Sequence, residues 1–164
     1  MTGSWPVADL DAIARLRVLA AGVRGATVVE RTIAAPGDVV WGTMADLEGG
    51  FGRFQPDMRH VVVESIDGDH IVALARSRFG MRARLRGVLR PGWCWLQSRF
   101  LLIGMAAVAD GAGTRVALTG GLRVPGRAAV VPVGTRRELE RALDRLSAEF
   151  PPPPFPPSPF PPSV

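Results

Sequence analysis

Between residues 60 and 122 the chain is cut by turn-forming clusters at intervals of about 8–12 residues, and apolar side chains alternate between the cuts. HVVVESI (60–66) runs into Asp67-Gly68-Asp69, HIVALARSR (70–78) into Phe79-Gly80, and MRARLRGVL (81–89) into Arg90-Pro91-Gly92. WCWLQSRFLL (93–102) is expected to turn near Ile103-Gly104, MAAVA (105–109) at Asp110-Gly111-Ala112-Gly113, and TRVALTGGL (114–122) closes the series. Connections this short join antiparallel neighbours, because a parallel crossover needs a dozen residues or more. An antiparallel meander is therefore the frame on which everything else must sit.

The flanking segments are helical. Residues 8–21 place Leu10, Ile13, Leu16 and Ala20 at helical spacing, which predicts a short amphipathic helix that packs on the domain or serves as an arm. ATVVERTI (26–33) reads as a first strand, giving about seven strands in all. Ala35-Pro36-Gly37-Asp38 starts a helix, since proline near the first helical position forfeits no hydrogen bond. Val39, Val40, Met44 and Leu47 give that helix its apolar side, Trp41 stands near its edge, and Gly49-Gly50 stops it; a second short helix or turn, FGRF, ends at Gln55-Pro56. Thr135-Arg136-Arg137-Glu138 has the pattern of a capping box, and Leu139, Leu143, Leu146 and Phe150 then follow along one helical face. So amphipathic a helix after a sheet should lie across it. Nine of the last fourteen residues (151–164) are proline, which excludes helix and sheet and leaves extended polyproline II or disorder. The expected organisation is an N-terminal helix or arm (1–24), one α+β ligand-binding domain (25–150) and a proline-rich tail (151–164).

Composition removes several functions. All twenty basic residues are arginine and the net charge is +5. Arginine in place of lysine, with abundant alanine, glycine and proline, is what a GC-rich genome produces, so the charge does not indicate nucleic acid, whose binding needs arginines on one face with exposed aromatics or a reading helix. No run of about 18 apolar residues is present, so no integral membrane segment is expected, and the first residues lack a secretory pattern. Cys94, the lone cysteine, cannot form an internal disulfide and reads as a buried, inert thiol in a cytoplasmic protein. His60 and His70 lie at strand ends without partners at metal-ligand spacing, so neither a metal site nor a catalytic triad is expected. No glycine-rich loop leads from strand to helix, and no cofactor is expected.

The order strand, helix, short helix, six-strand meander, long helix resembles the SRPBCC superfamily. This is the helix-grip fold shared by START-like lipid-binding domains, birch-pollen-allergen-like proteins and polyketide cyclase/dehydrase proteins. The best local match is VVERTIAAPGDVVWGTMADLEGGFGRFQPDM, with the apolar-aromatic pair Val40-Trp41 and the aromatic-x-Pro of Phe54-Gln55-Pro56. RPGWCWLQSRF and DGAGTRVALTGGL look like the family's later strands, and RRELERALDRLSAEF like its closing helix, so the resemblance covers residues 26–150. It implies a curved antiparallel sheet wrapped around the C-terminal helix, with a deep, mostly apolar cavity between them that takes lipids, polyketides or other hydrophobic molecules. Aromatase/cyclase members are associated with tyrosine and arginine groups in the pocket; this chain has no tyrosine, which departs from that pattern.

Candidate cavity walls are Trp41, Phe54, Leu74, Leu85, Trp95, Phe100, Leu139 and Leu143, with Arg76 and Arg78 as candidate polar anchors. The arginines depend on register. A two-residue loop at Phe79-Gly80 sets Arg78 opposite Met81 and Arg76 opposite Ala83, so both share the apolar face. A loop one residue longer puts Arg78 opposite Arg82 and gathers Arg76, Arg78, Arg82, Arg84 and Arg86 into one solvent-facing stripe. Inward arginines would need a bound anion, Glu64 or Glu30 as a partner. The sequence thus points to binding or transport of a hydrophobic small molecule without catalysis. The alternatives are a cyclase or dehydratase in which Arg76 or Arg78 stabilises an enolate, and an interaction module built on the N-terminal helix and the tail. The first reading requires the sheet and the last helix to stand apart.

Overall fold

The computed structural model describes residues 9–55, 58–77, 80–122 and 132–152. The elements run α1 (Ala12–Ala21), β1 (Thr27–Ile33), α2 (Gly37–Ala45), α3 (Phe51–Phe54), β2 (Met58–Asp67), β3 (His70–Ser77), β4 (Arg82–Arg90), β5 (Trp93–Gln97), β6 (Leu101–Asp110), β7 (Gly113–Leu122) and α4 (Pro132–Ala148). The seven strands form one curved antiparallel sheet in the order β1-β7-β6-β5-β4-β3-β2. The chain therefore enters at one edge and crosses by α2 and α3 to the other. From there it meanders back until β7 pairs with β1, Val29 opposite Leu118 and Ile33 opposite Thr114. This is the α+β helix-grip architecture that the element order predicts.

Alternation sorts every strand into two faces, and each face has its own core. Val29, Ile71, Ala73, Ala75, Leu85, Cys94, Leu96, Ile103, Met105 and Leu118 point to the inner face, where they bury against Val40 and Met44 of α2, Phe51 and Phe54 of α3, and Leu139, Leu143 and Leu146 of α4. The two phenylalanines of α3 meet edge to face, with ring centroids 5.3 Å apart. On the outer face, Ile13 and Leu16 of α1 bury against Trp93, Ala106 and Ala117, with Trp95, Val28 and Val88 packed around them. Ile13, Leu16 and Ala20 are the buried stripe of α1, and Asp11 caps it by accepting from the Ala14 amide at 2.7 Å. Leu10 lies ahead of the helix and is exposed. A two-pronged bond ties α1 to the edge strand: the Arg17 guanidinium donates to both carboxylate oxygens of Glu30, at 2.6 and 2.7 Å.

Three local expectations change. The turn between β5 and β6 falls at Ser98–Phe100 rather than Ile103-Gly104, because the Ser98 hydroxyl accepts from the Phe100 and Leu101 amides and closes it. Gly104 instead sits inside β6, where a glycine marks close approach rather than a break. The last helix begins at Pro132, so Thr135 lies within it and not at its cap. Val39 faces solvent on α2, whose buried residues are Val40 and Met44.

Candidate functional site

The inner core is the part of the molecule with the composition of a receptor for apolar matter. Among its described members the only ionisable side chain is Cys94. Burial pushes that thiol up to about 12, far from the range in which a thiolate nucleophile operates. Over β3 and β4 the inner face mixes small side chains with large ones. Ala75 stands opposite Ala83, Ala73 opposite Leu85, and Ile71 opposite Gly87.

Four of the wall candidates meet here. Phe54, Leu85, Leu139 and Leu143 are all buried members of the inner core, and Trp41 packs half-buried against it. The others do not join them. Leu74 and Arg76 alternate with Ala73 and Ala75 and so project from the outer face of β3; Arg76 is exposed there and cannot anchor a guest in the interior. Trp95 also points outward, half-buried under α1 next to Leu16 and Gly104. Phe100 stands 43 % exposed on the β5–β6 turn, with the Arg99 guanidinium 5.5 Å from its ring centroid. Arg78, like Pro56, lies outside the described residues.

The register of the β3–β4 hairpin settles the arginines and matches neither loop considered for it. Arg76 pairs with Arg82 and Leu74 with Arg84, and the Ser77 amide donates to the Met81 carbonyl across a three-residue loop, 78–80. This keeps Arg76, Arg82, Arg84 and Arg86 on one exposed outer face. Of the partners considered for an inward arginine, Glu64 binds Arg84 at 2.6 Å on that outer face and Glu30 binds Arg17.

The deep cavity that the resemblance implies does not stand open here: the space directly beneath α4 is closed by side chains. Leu139, Leu143 and Leu146 keep 4, 1 and 0 % of their surface exposed, so little room for even a water remains against Leu143 or Leu146. A cleft of about 370 Å³ runs between edge strand β1 and α4. Val28, Val29 and Leu143 give it apolar floor, and Glu30, Arg31, Arg136, Glu140 and Asp144 form its rim. One ion pair crosses the cleft, Arg31 with Asp144, while Arg136 pairs with Glu140 at 2.9 Å along α4 itself. Sequence reasoning missed this cleft. Its signal was the charge on the flank of α4 facing a charged edge strand, which reads equally well as a solvated surface. Among the described residues no cluster of three or more His, Cys, Asp or Glu has the geometry of a metal site, and no helix is long and apolar enough to cross a membrane.

No protein-family model matches the chain, and no curated protein matches it. Solved structures do. A START superfamily protein from Mycobacterium smegmatis is 13 % identical, with a TM-score of 0.56 over 76 % of this chain and 96 % of that one. The Zhui aromatase/cyclase from Streptomyces sp. R1128 is 21 % identical, with a TM-score of 0.51 over 75 % and 86 %. The KanY protein is 15 % identical, with a TM-score of 0.57 over 76 % and 96 %. At these identities the likeness is one of fold.

Proposed function

We propose, from the premise that the chain has the START-like helix-grip fold of the SRPBCC superfamily, that it binds a hydrophobic small molecule between the inner sheet face and α4, as a carrier rather than a catalyst. The observation that carries this reading is the inner core itself, an apolar interior whose one described ionisable group is a thiol held protonated. Such an interior offers a guest surface to bury, and its described buried residues include no carboxylate, imidazole or guanidinium; the charged groups stand at the rim of the cleft. Outward-facing Arg76 takes with it the electrostatic element of a cyclase-type reading at that residue.

Binding in this reading requires α4 and β1 to part along the cleft, so that a guest replaces the contacts Leu143 makes with Val29 and its neighbours. The ion pair across the rim, Arg31 with Asp144, is exposed and contributes about 1 kcal/mol or less, so opening is opposed chiefly by the buried contacts of Leu139, Leu143 and Leu146. Titration with the neutral dye N-phenyl-1-naphthylamine tests the proposal. Saturable, blue-shifted fluorescence is expected, displaced by a lipid extract. No saturable binding, together with native mass spectra that show only the bare chain, would refute it.

A further inference from the structure

We infer that the outer face of β2–β4 is a docking surface for an anionic lipid bilayer. α1 covers the outer face over β5, β6 and β7 and reaches Val88 on β4, while the outward side chains of β2, β3 and the first half of β4 remain open to solvent or half-buried. There His60, Arg76 and Arg82 form one row across three strands, His60 opposite Arg76 and Arg76 opposite Arg82. Like charges directly opposite in a ladder destabilise a sheet. Among the described residues the local carboxylate, Glu64, is taken by Arg84 at 2.6 Å, and Arg76, Arg82 and Arg86 are in no ion pair. A row of guanidinium groups held together without a counter-charge is complementary to phosphate, which each can grip through paired N–H donors.

The apolar residues set among these arginines favour a bilayer over other polyanions. Val62 on β2, paired with Leu74 on the outer face, is 54 % exposed. Phe100, beside Arg99, stands on the next turn at the same end of the sheet. Exposed apolar side chains flanked by arginine suit the boundary between headgroups and acyl chains. Nucleic acid would be read by several stacking aromatics or a helix, and among the described residues this face offers no helix and a single exposed aromatic, Phe100. A second copy adding a strand to the edge is opposed by the two irregularities of β2, at Met58/His60 and Val63/Ser65, which break a straight ladder. The inference does not depend on the interior binding a guest.

Co-sedimentation of the full chain with vesicles tests it. Binding is expected to vesicles of phosphatidylglycerol and phosphatidylcholine, not to phosphatidylcholine alone, and to fade in 0.5 M salt. Each arginine near an anionic surface contributes about fivefold in partition, so Arg76→Gln/Arg82→Gln should lower it about 25-fold, while Arg141→Gln on α4 leaves it unchanged. Val62→Ser is a second probe and should weaken partition without changing its salt dependence. Equal binding to neutral vesicles, no binding to anionic ones, or full binding by both altered proteins would overturn the inference. So would capture by a short DNA duplex or polyglutamate in place of vesicles.

Discussion

Trp95 on β5 stands opposite Gly104 on β6, on the sheet face covered by α1. A side-chain carbon added at Gly104 would come within 2.5 Å of the Thr119 methyl, 2.9 Å of Leu16 and 3.0 Å of the Trp95 ring. Glycine is what allows helix, indole and strand to meet at this point. Gly104→Ala should force α1 outward, costing about 1–3 kcal/mol, the usual penalty for overpacking. For a chain of this length that lowers Tm by about 3–10 °C. Thermal unfolding followed by tryptophan fluorescence checks both parts, with a red-shifted native spectrum expected as the indoles gain contact with water. An unchanged spectrum and Tm would mean that α1 is not seated as described.

Cys94 gives a pH dependence with few competing groups, because the chain has neither tyrosine nor lysine. Its thiol is held up to about 12 by burial, above its ordinary value of 9.0. The folded protein therefore keeps a proton that the unfolded chain releases. The contribution is intact below the unfolded value and is lost as pH rises from about 9 towards about 12, at up to about 1.4 kcal/mol per pH unit. Urea midpoints at pH 8, 9.5 and 11 should fall steadily for the native chain and stay nearly level for Cys94→Ala. A disulfide reagent such as DTNB should label the thiol only after unfolding.

Arg82→Glu places a carboxylate opposite Arg76 and turns a repulsive cross-strand pair into an attractive one. The gain should be about 1 kcal/mol, a rise of about 2–4 °C in Tm. It should shrink as salt is added, since both side chains are exposed. Calorimetry at 20 mM and 500 mM salt distinguishes this from a packing effect, which salt would leave in place.

Much of this architecture is legible in the sequence for a physical reason. Turn residues and period-two alternation act locally, so the number of strands, their antiparallel pairing and the helices at either end follow from short stretches of chain. That Phe54, Leu85, Leu139 and Leu143 belong to the core is legible because large apolar residues at the right spacing are buried wherever the sheet meets the helices. Leu74 and Trp95 show where such reasoning ends. Alternation fixes that Leu74 and Arg76 share a face and that Ala73 and Ala75 share the other, but not which of the two meets α4. A large leucine suggests the wall of a cavity, whereas the inner residues there are alanines.

By itself, then, the sequence determined the elements and their order. Tertiary structure alone decided which face looks inward. It seated α1 on the outer side and so gave both faces apolar residues, removing the contrast by which a core face is usually recognised. It also decided the register of the β3–β4 hairpin. One residue of loop length exchanges the two faces of a strand, and the energy that selects the length is spread over the whole packed sheet rather than held in the turn.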